Sequence, residues 1–218
     1  MLKRIRFAPA ATTGGPVAAD VRRVAAHGLS APPDARPVRT TVAEVVPDLS
    51  PDAPHPNVLI EYFADPPQLA RFEAWLASGP IGDVDPGTVL VAEERVVRGA
   101  DWLDSRWADG GTRLKQMAIA GRRKGLTRAE FADLWRSRAG NVGAVPIPDE
   151  ARGRAYVQNH PVADRDPAYD AVNEVYFDSR DELLTRMAWM TEALARDGEN
   201  DLIDHNWFLA LNEELLLP

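Results

Sequence analysis

The sequence holds no cysteine among its 218 residues, which removes thiol nucleophiles, disulfides and Cys-ligated zinc or iron–sulfur centres. It holds four histidines, none in an H-x-H or H-E-x-x-H spacing, so no histidine-built metal site is expected. No run of about 18 apolar residues occurs, so nothing is expected to span a bilayer. A basic excess is missing too. With 25 Lys and Arg against 33 Asp and Glu, the net charge is −8, which argues against a nucleic-acid partner or an anionic membrane surface. The opening stretch, "MLKRIRFAPAATTGG", carries positive charge but no continuous apolar core, so no signal peptide is read and a cytoplasmic location is expected.

What is present is an ordinary balance, 45% hydrophobic and 27% charged, which suits a soluble chain of one large domain or two of about 100 residues. An internal repeat decides between them. "LKRIRFA" (2–8) matches "LKQMAIA" (114–120) at a shift of 112, and the same shift sets Gly28 on Gly140. "NVLIEYFADPPQLARFEAW" matches "AVNEVYFDSRDELLTRMAW" at a shift of 114, pairing Val58, Tyr62, Phe63, Leu69 and Trp75 with Val172, Tyr176, Phe177, Leu183 and Trp189. "VLVAEERVV" resembles "LALNEELLL" at a shift of 120, pairing Glu93 and Glu94 with Glu213 and Glu214. Four ordered matches describe two copies of one unit, residues 1–108 and 113–218.

Each copy reads as a strand (2–9; 113–121), a helix (16–27; 128–139), two strands (38–46 and 57–64; 152–161 and 170–178), a helix, and a closing strand (88–97; 205–216). Thr127 with Glu130 three residues on forms a capping box, and Phe131, Leu134 and Trp135 supply an i, i+3, i+4 apolar stripe. The second helix of each copy opens at Asp65-Pro66 and at Ser179, where Asp181 and Glu182 suit a helix N-terminus. "GTRLKQ" near Gly110 joins the copies. The order βαββαβ is ferredoxin-like, with both helices on one face of a four-stranded sheet. The expected fold is therefore α+β: two tandem ferredoxin-like repeats burying their bare sheet faces against each other as a pseudo-dimeric barrel.

"KGLTRAEFADLWRSRAG", "YVQNH", "YDAVNEVYFDSRDEL" and "WFLALNEE" resemble the EthD family of the dimeric α+β barrel superfamily over about residues 113–216, the first half looking like a diverged relative. The resemblance implies a pocket between sheet and helices. It also implies cofactor-free chemistry on aromatic or polyketide-like compounds: isomerisation, cyclisation, dehydration, decarboxylation or oxygenation. The family pattern W-R-x-x-H-G is broken here, with Ala139 at the histidine position and His27 at its equivalent in the first copy. Since Val42, Val45 and Val46 stand opposite Tyr156, Asn159 and His160 at a shift of 114, one dominant site in the second half is expected.

His160 is the candidate proton shuttle, near the end of a strand with Tyr156 on its face by period-two alternation; a structural histidine at a sheet edge is the plain alternative. Glu174 and Tyr176 share a face of the neighbouring strand, the first to orient His160 or act as base, the second to donate to an oxyanion. Ile60 is the counterpart of Glu174, so that charge is specific to the second copy, whereas Tyr62 opposite Tyr176 favours packing. Candidate substrate contacts are Trp135, which equally suits the sheet–helix core, Arg138, which can hold a carboxylate or phenolate, Asn159, pointing opposite to His160, and His205 and Asn206. As edge strands, those of His160 and His205 would stand roughly 14 Å apart, three strand spacings, too far to share a metal. The expected function is cofactor-free acid/base chemistry on a hydrophobic aromatic or polyketide-like carbonyl compound. A cofactor-independent monooxygenase of phenols and a non-catalytic small-molecule-binding or accessory protein are the alternatives. The expected partner is a small hydrophobic molecule, with no nucleic acid and no membrane. A homodimer of the pseudo-dimeric chain is left open.

Overall fold

The computed structural model describes residues 1–9, 17–79, 88–110, 112–138, 141–142, 145–162, 165, 167–197 and 202–217. Ala139 and Gly140, which carried the broken histidine motif and one repeat match, lie outside the described residues. The elements of the first half are β1 (Leu2–Ala8), α1 (Val17–Leu29), β2 (Arg39–Val45), β3 (Asn57–Phe63), α2 (Pro66–Ala77) and β4 (Thr88–Arg98). A helix α3 (Ala100–Asp109) follows, then β5 (Thr112–Arg122), α4 (Arg128–Ser137) and a two-residue hairpin, β6 (Asn141–Val142) with β7 (Val145–Pro146). A 3-10 turn (Asp149–Ala151), β8 (Ala155–Pro161), β9 (Ala171–Phe177), α5 (Arg180–Asp197) and β10 (Ile203–Leu217) complete the chain.

Eight strands close an antiparallel barrel in the order β1-β3-β2-β10-β5-β9-β8-β4, with β4 returning to β1. The first half contributes β4-β1-β3-β2 and the second β10-β5-β9-β8, the same sequence of positions in each. The joints are β2 against β10 and β4 against β8. Each half therefore covers the edges of the other, and the eight barrel strands leave no open row of backbone groups. β8 is accordingly not an exposed edge. His160 faces Glu93 of β4 across a ladder and is only 6% exposed, which corrects the solvent-edge reading of this strand.

Alternation along each strand sends one set of side chains inward and the other out beneath the helices. Ile5, Phe7, Ile60, Leu90, Met117, Val157, Val172 and Leu209 meet in the barrel interior. Outside, α1 packs Val21, Val24 and Ala25 on Val42 and Leu59, and α2 packs Leu69 and Phe72 on Phe63 and Val91. In the second half α4 sets Phe131 on Ala120 and Ala171, and α5 sets Leu183 on Val175 and Phe177. The helix starts follow their sequence signals. Asp65 accepts the Gln68 N–H at 2.7 Å ahead of Pro66, and Thr127 and Glu130 form the reciprocal capping box.

The connection between halves departs from the plain joint expected near Gly110. Leu103 and Trp107 of α3, one turn apart, enter the interior core and stopper one end of the barrel. The Trp107 ring lies 4.0 Å from the Arg113 guanidinium and 4.2 Å from that of Arg39, and meets Tyr62 edge-on at 5.9 Å. The turn into α3 is made at Gly99 with φ 78°, where a Cβ would run into the Arg154 carbonyl. No helix among the described residues is long and apolar enough to cross a membrane.

Candidate functional site

The predicted site residues divide between the two faces of one sheet. Asn159, Glu174 and Tyr176 point into the barrel, whereas Tyr156, Gln158 and His160 alternate to its outer face under α4. The alternation expected for each pair is present: Tyr156 with His160, Glu174 with Tyr176, and Asn159 opposed to His160. The meeting of His160 with Glu174 is not. The backbone of the sheet stands between them, so the carboxylate can neither orient that imidazole nor take its proton.

Inside the barrel Glu174 is the centre of a buried ion network. Its Oε1 accepts from Lys3 Nζ at 2.6 Å and Asn159 Nδ2 at 2.9 Å, and its Oε2 from Lys115 Nζ at 2.6 Å and the Tyr176 hydroxyl at 2.9 Å. Lys3 continues to Glu94 at 2.9 Å and Lys115 to Glu213 at 2.6 Å. Burial alone would raise the Glu174 carboxyl, but Lys115 and Lys3 outweigh it and hold it below the usual carboxylate range. Burial and the neighbouring Glu174 push Tyr176 well above an ordinary phenol. Glu174 is thus a fixed anion with all its acceptor sites filled, and Tyr176 already donates to it; the pair is committed to the network and not to a substrate.

The registers also revise the repeat alignment. Lys3 faces Tyr62 and Ala92, and Lys115 faces Tyr176 and Leu211, which makes Glu94 the positional equivalent of Glu213, a shift of 119. Val58 faces Ala43 and Val172 faces Asn159, so β2 and β8 correspond at a shift of 116. Thr40, Ala43 and Glu44 stand where Tyr156, Asn159 and His160 stand, two residues from the valines that a constant shift selects.

The concavity lies on the outer face. A cavity of about 310 Å³ is enclosed by β5, β8, β9 and β10 on one side and by α4 and α5 on the other. Gln116, Tyr156, Asn173 and Asn206 line it from the sheet, Trp135 and Arg186 from the helices, and Arg138 from the cap that ends α4. Val175, Phe208, Met190 and Leu194 form apolar wall, and Arg98 and Arg152 also reach the lining. Of the predicted residues the cavity therefore gathers Tyr156, Trp135, Arg138 and Asn206. His205 turns to the other face, stacking edge-on with Trp207 at 5.0 Å, and His160 sits behind the wall. His27, at the end of α1, stacks on Trp75 at 4.2 Å in the first half. Among the described residues no three of His, Asp and Glu converge as a metal-binding group.

Hydrogen-bond directions around Tyr156 follow from groups that act in one sense only. The Trp135 indole N–H can only donate, so the Asn173 atom at 3.1 Å is oxygen and the Asn173 NH2 faces the Tyr156 hydroxyl at 3.0 Å. The Trp135 carbonyl can only accept, so the Gln158 atom at 3.3 Å is nitrogen, and that NH2 also donates to Tyr156 at 3.1 Å. Two amides thus donate to one phenol oxygen, and no described residue accepts its hydrogen. The cavity is the direction left open to it. Burial raises the Tyr156 pKa, so the hydroxyl stays protonated at neutral pH. His160 joins from behind: its Nε2–H donates to the Gln158 oxygen at 3.3 Å. Burial, then the charges of Arg136 and Arg95, lower its pKa to about 4, leaving a neutral ring.

Three residues of this arrangement, Gln158, Asn173 and Arg186, were not among the predicted site residues. The signal that singled out Glu174 was available for two of them. At the shift of 114, Asn173 stands against Leu59 and Arg186 against Phe72, polar against apolar in both cases. In the first half Phe72 is fully buried between Phe63 and Trp75. In the second half Arg186 borders the cavity instead. No protein-family model matches the chain, and no curated protein matches it.

Proposed function

We propose that the protein binds a hydrophobic, aromatic or polyketide-like carbonyl compound in the cavity beneath α4 and α5, with the Tyr156 hydroxyl donating to the ligand's oxygen. One observation carries this reading: the Tyr156 oxygen accepts two amide N–H groups, which leaves its hydrogen for the cavity. A neutral donor aimed at a carbonyl stabilises the oxyanion of an enolate, and removing one such donor typically costs about 10²–10³ in rate. Enolisation, isomerisation and dehydration all pass through that charge. The supporting fold reading is that the halves are tandem ferredoxin-like units of the EthD type. Their shared strand order and the corresponding inner positions of Lys3 and Lys115, Tyr62 and Tyr176, and Glu94 and Glu213 favour it.

A second reading, a non-catalytic carrier, is favoured by the lining itself: among its described residues there is no carboxylate and no imidazole to accept a proton. One experiment separates the two. With solvent deuteroxide or buffer base removing the α-hydrogen and the Tyr156 hydroxyl donating to the enolate oxygen, exchange of the α-hydrogens of 1-tetralone in D2O, followed by NMR, is expected to be accelerated by the protein, the acceleration falling about 10²–10³-fold in Tyr156→Phe. Binding of the ketone without acceleration gives the carrier. Equal acceleration by the wild type and Tyr156→Phe would remove Tyr156 from the mechanism.

A further inference from the structure

We propose that the physiological ligand of the cavity is an anion, a one- or two-ring aromatic carboxylic acid whose carboxylate is held by the Arg186 guanidinium. The inference rests on reading the cavity as a ligand site and adds the ligand's charge. Arg186 is 6% exposed and borders the cavity from α5. It spends Nε on the Gln116 side-chain oxygen at 3.2 Å and one terminal nitrogen on the Ala151 carbonyl at 3.1 Å, both neutral acceptors. The second terminal nitrogen makes no hydrogen bond to a described residue. Arg98, also at the cavity, is likewise bonded to backbone carbonyls, those of Gly153 at 2.7 Å and Arg152 at 2.5 Å.

Four other buried cations of the chain have carboxylate partners. Lys3 and Lys115 share Glu174, Arg4 meets Glu61 at 2.6 Å, and Arg113 lies 3.5 Å from Glu213. The chain has 33 acidic residues from which to draw, yet no described carboxylate pairs with Arg186 and none lines the cavity. A buried cation left without a counter-ion destabilises the fold. Where the first half places Phe72, the second half accepts that cost at the wall of a cavity, and a ligand anion removes it. Arginine rather than lysine suits a planar carboxylate, because its fork makes two parallel hydrogen bonds. The cavity's 310 Å³ is at the small end for ligand sites. Its walls include Val175, Phe208, Met190 and the Trp135 ring, which suits one or two aromatic rings.

The test is a matched pair: 1-naphthoate, charged at pH 7, and 1-naphthamide, neutral and nearly the same shape, titrated into the whole protein by tryptophan fluorescence and calorimetry. The wild type is expected to bind the acid at least about tenfold more tightly than the amide. The preference should vanish in Arg186→Met, with the amide still bound, and naphthoate should raise the melting temperature of the wild type alone. Wild-type binding of both with equal affinity overturns the anionic ligand and leaves the cavity as a site for neutral carbonyl compounds. Binding of neither by the folded wild type overturns both readings. If Arg186→Met fails to fold, the wild-type pair alone decides.

Discussion

Replacing Glu174 by glutamine is expected to damage stability and to leave the cavity's ligand binding intact. The carboxylate accepts four hydrogen bonds, two on each oxygen, from Lys3, Asn159, Lys115 and Tyr176. A glutamine in the same volume keeps one oxygen and turns an NH2 toward the other pair of donors. Either orientation leaves an ammonium facing an amide N–H in a fully buried interior. Removing one partner of a buried ion pair typically costs about 3–5 kcal/mol. For a chain of this size each kcal/mol lowers the melting temperature by about 2–4 °C, so Glu174→Gln should melt about 6–20 °C below the wild type at pH 7. Circular dichroism in a thermal ramp reads this directly, and urea midpoints give an independent value. The network also sets a pH signature. The folded pKa of Glu174 lies below its ordinary value, so its stabilisation is complete above about pH 4.3 and is lost as the pH falls further. Wild-type melting temperatures should fall more steeply than those of the variant from pH 5 downward. A variant within about 2 °C of the wild type would refute the network's energetic role. A stable variant that no longer binds ligand would return Glu174 to the site.

His160 should titrate near pH 4 by NMR, and its depressed value predicts a fall in stability from about pH 6.5 toward 4, where only the unfolded chain takes up the proton; an ordinary titration near 6.5 would place the ring in solvent. Trp107→Ala, which removes the stopper that α3 drives into the barrel end, should cost about 3–5 kcal/mol in urea unfolding; a change under about 1 kcal/mol would make α3 a passive linker.

Much of the framework is legible in the one-dimensional pattern. Period-two alternation places Tyr156 with His160, and Glu174 with Tyr176, because side-chain direction is local to a strand. Strands and helices expected from the sequence lie within a residue or two of their observed limits over most of the chain, and the capping box at Thr127 marks a helix start that depends on four consecutive residues. α3 is less legible: Leu103 and Trp107 have helical spacing, but ten residues between two strands read as easily as a loop.

What the pattern does not contain is which face of each strand becomes concave. That depends on β4 pairing with β8 and β2 with β10, contacts between halves that no local preference encodes. Closure turned Glu174 and Asn159 into the barrel, where charges survive only by pairing, and turned Tyr156, Gln158, Asn173 and Arg186 toward the helices, where a cavity remains. Alternation belongs to a single strand. The register of β8 on β9, in which Val157 faces Glu174, puts His160 and Glu174 on opposite sides of the sheet, and the closure of eight strands decides which of those sides is the interior.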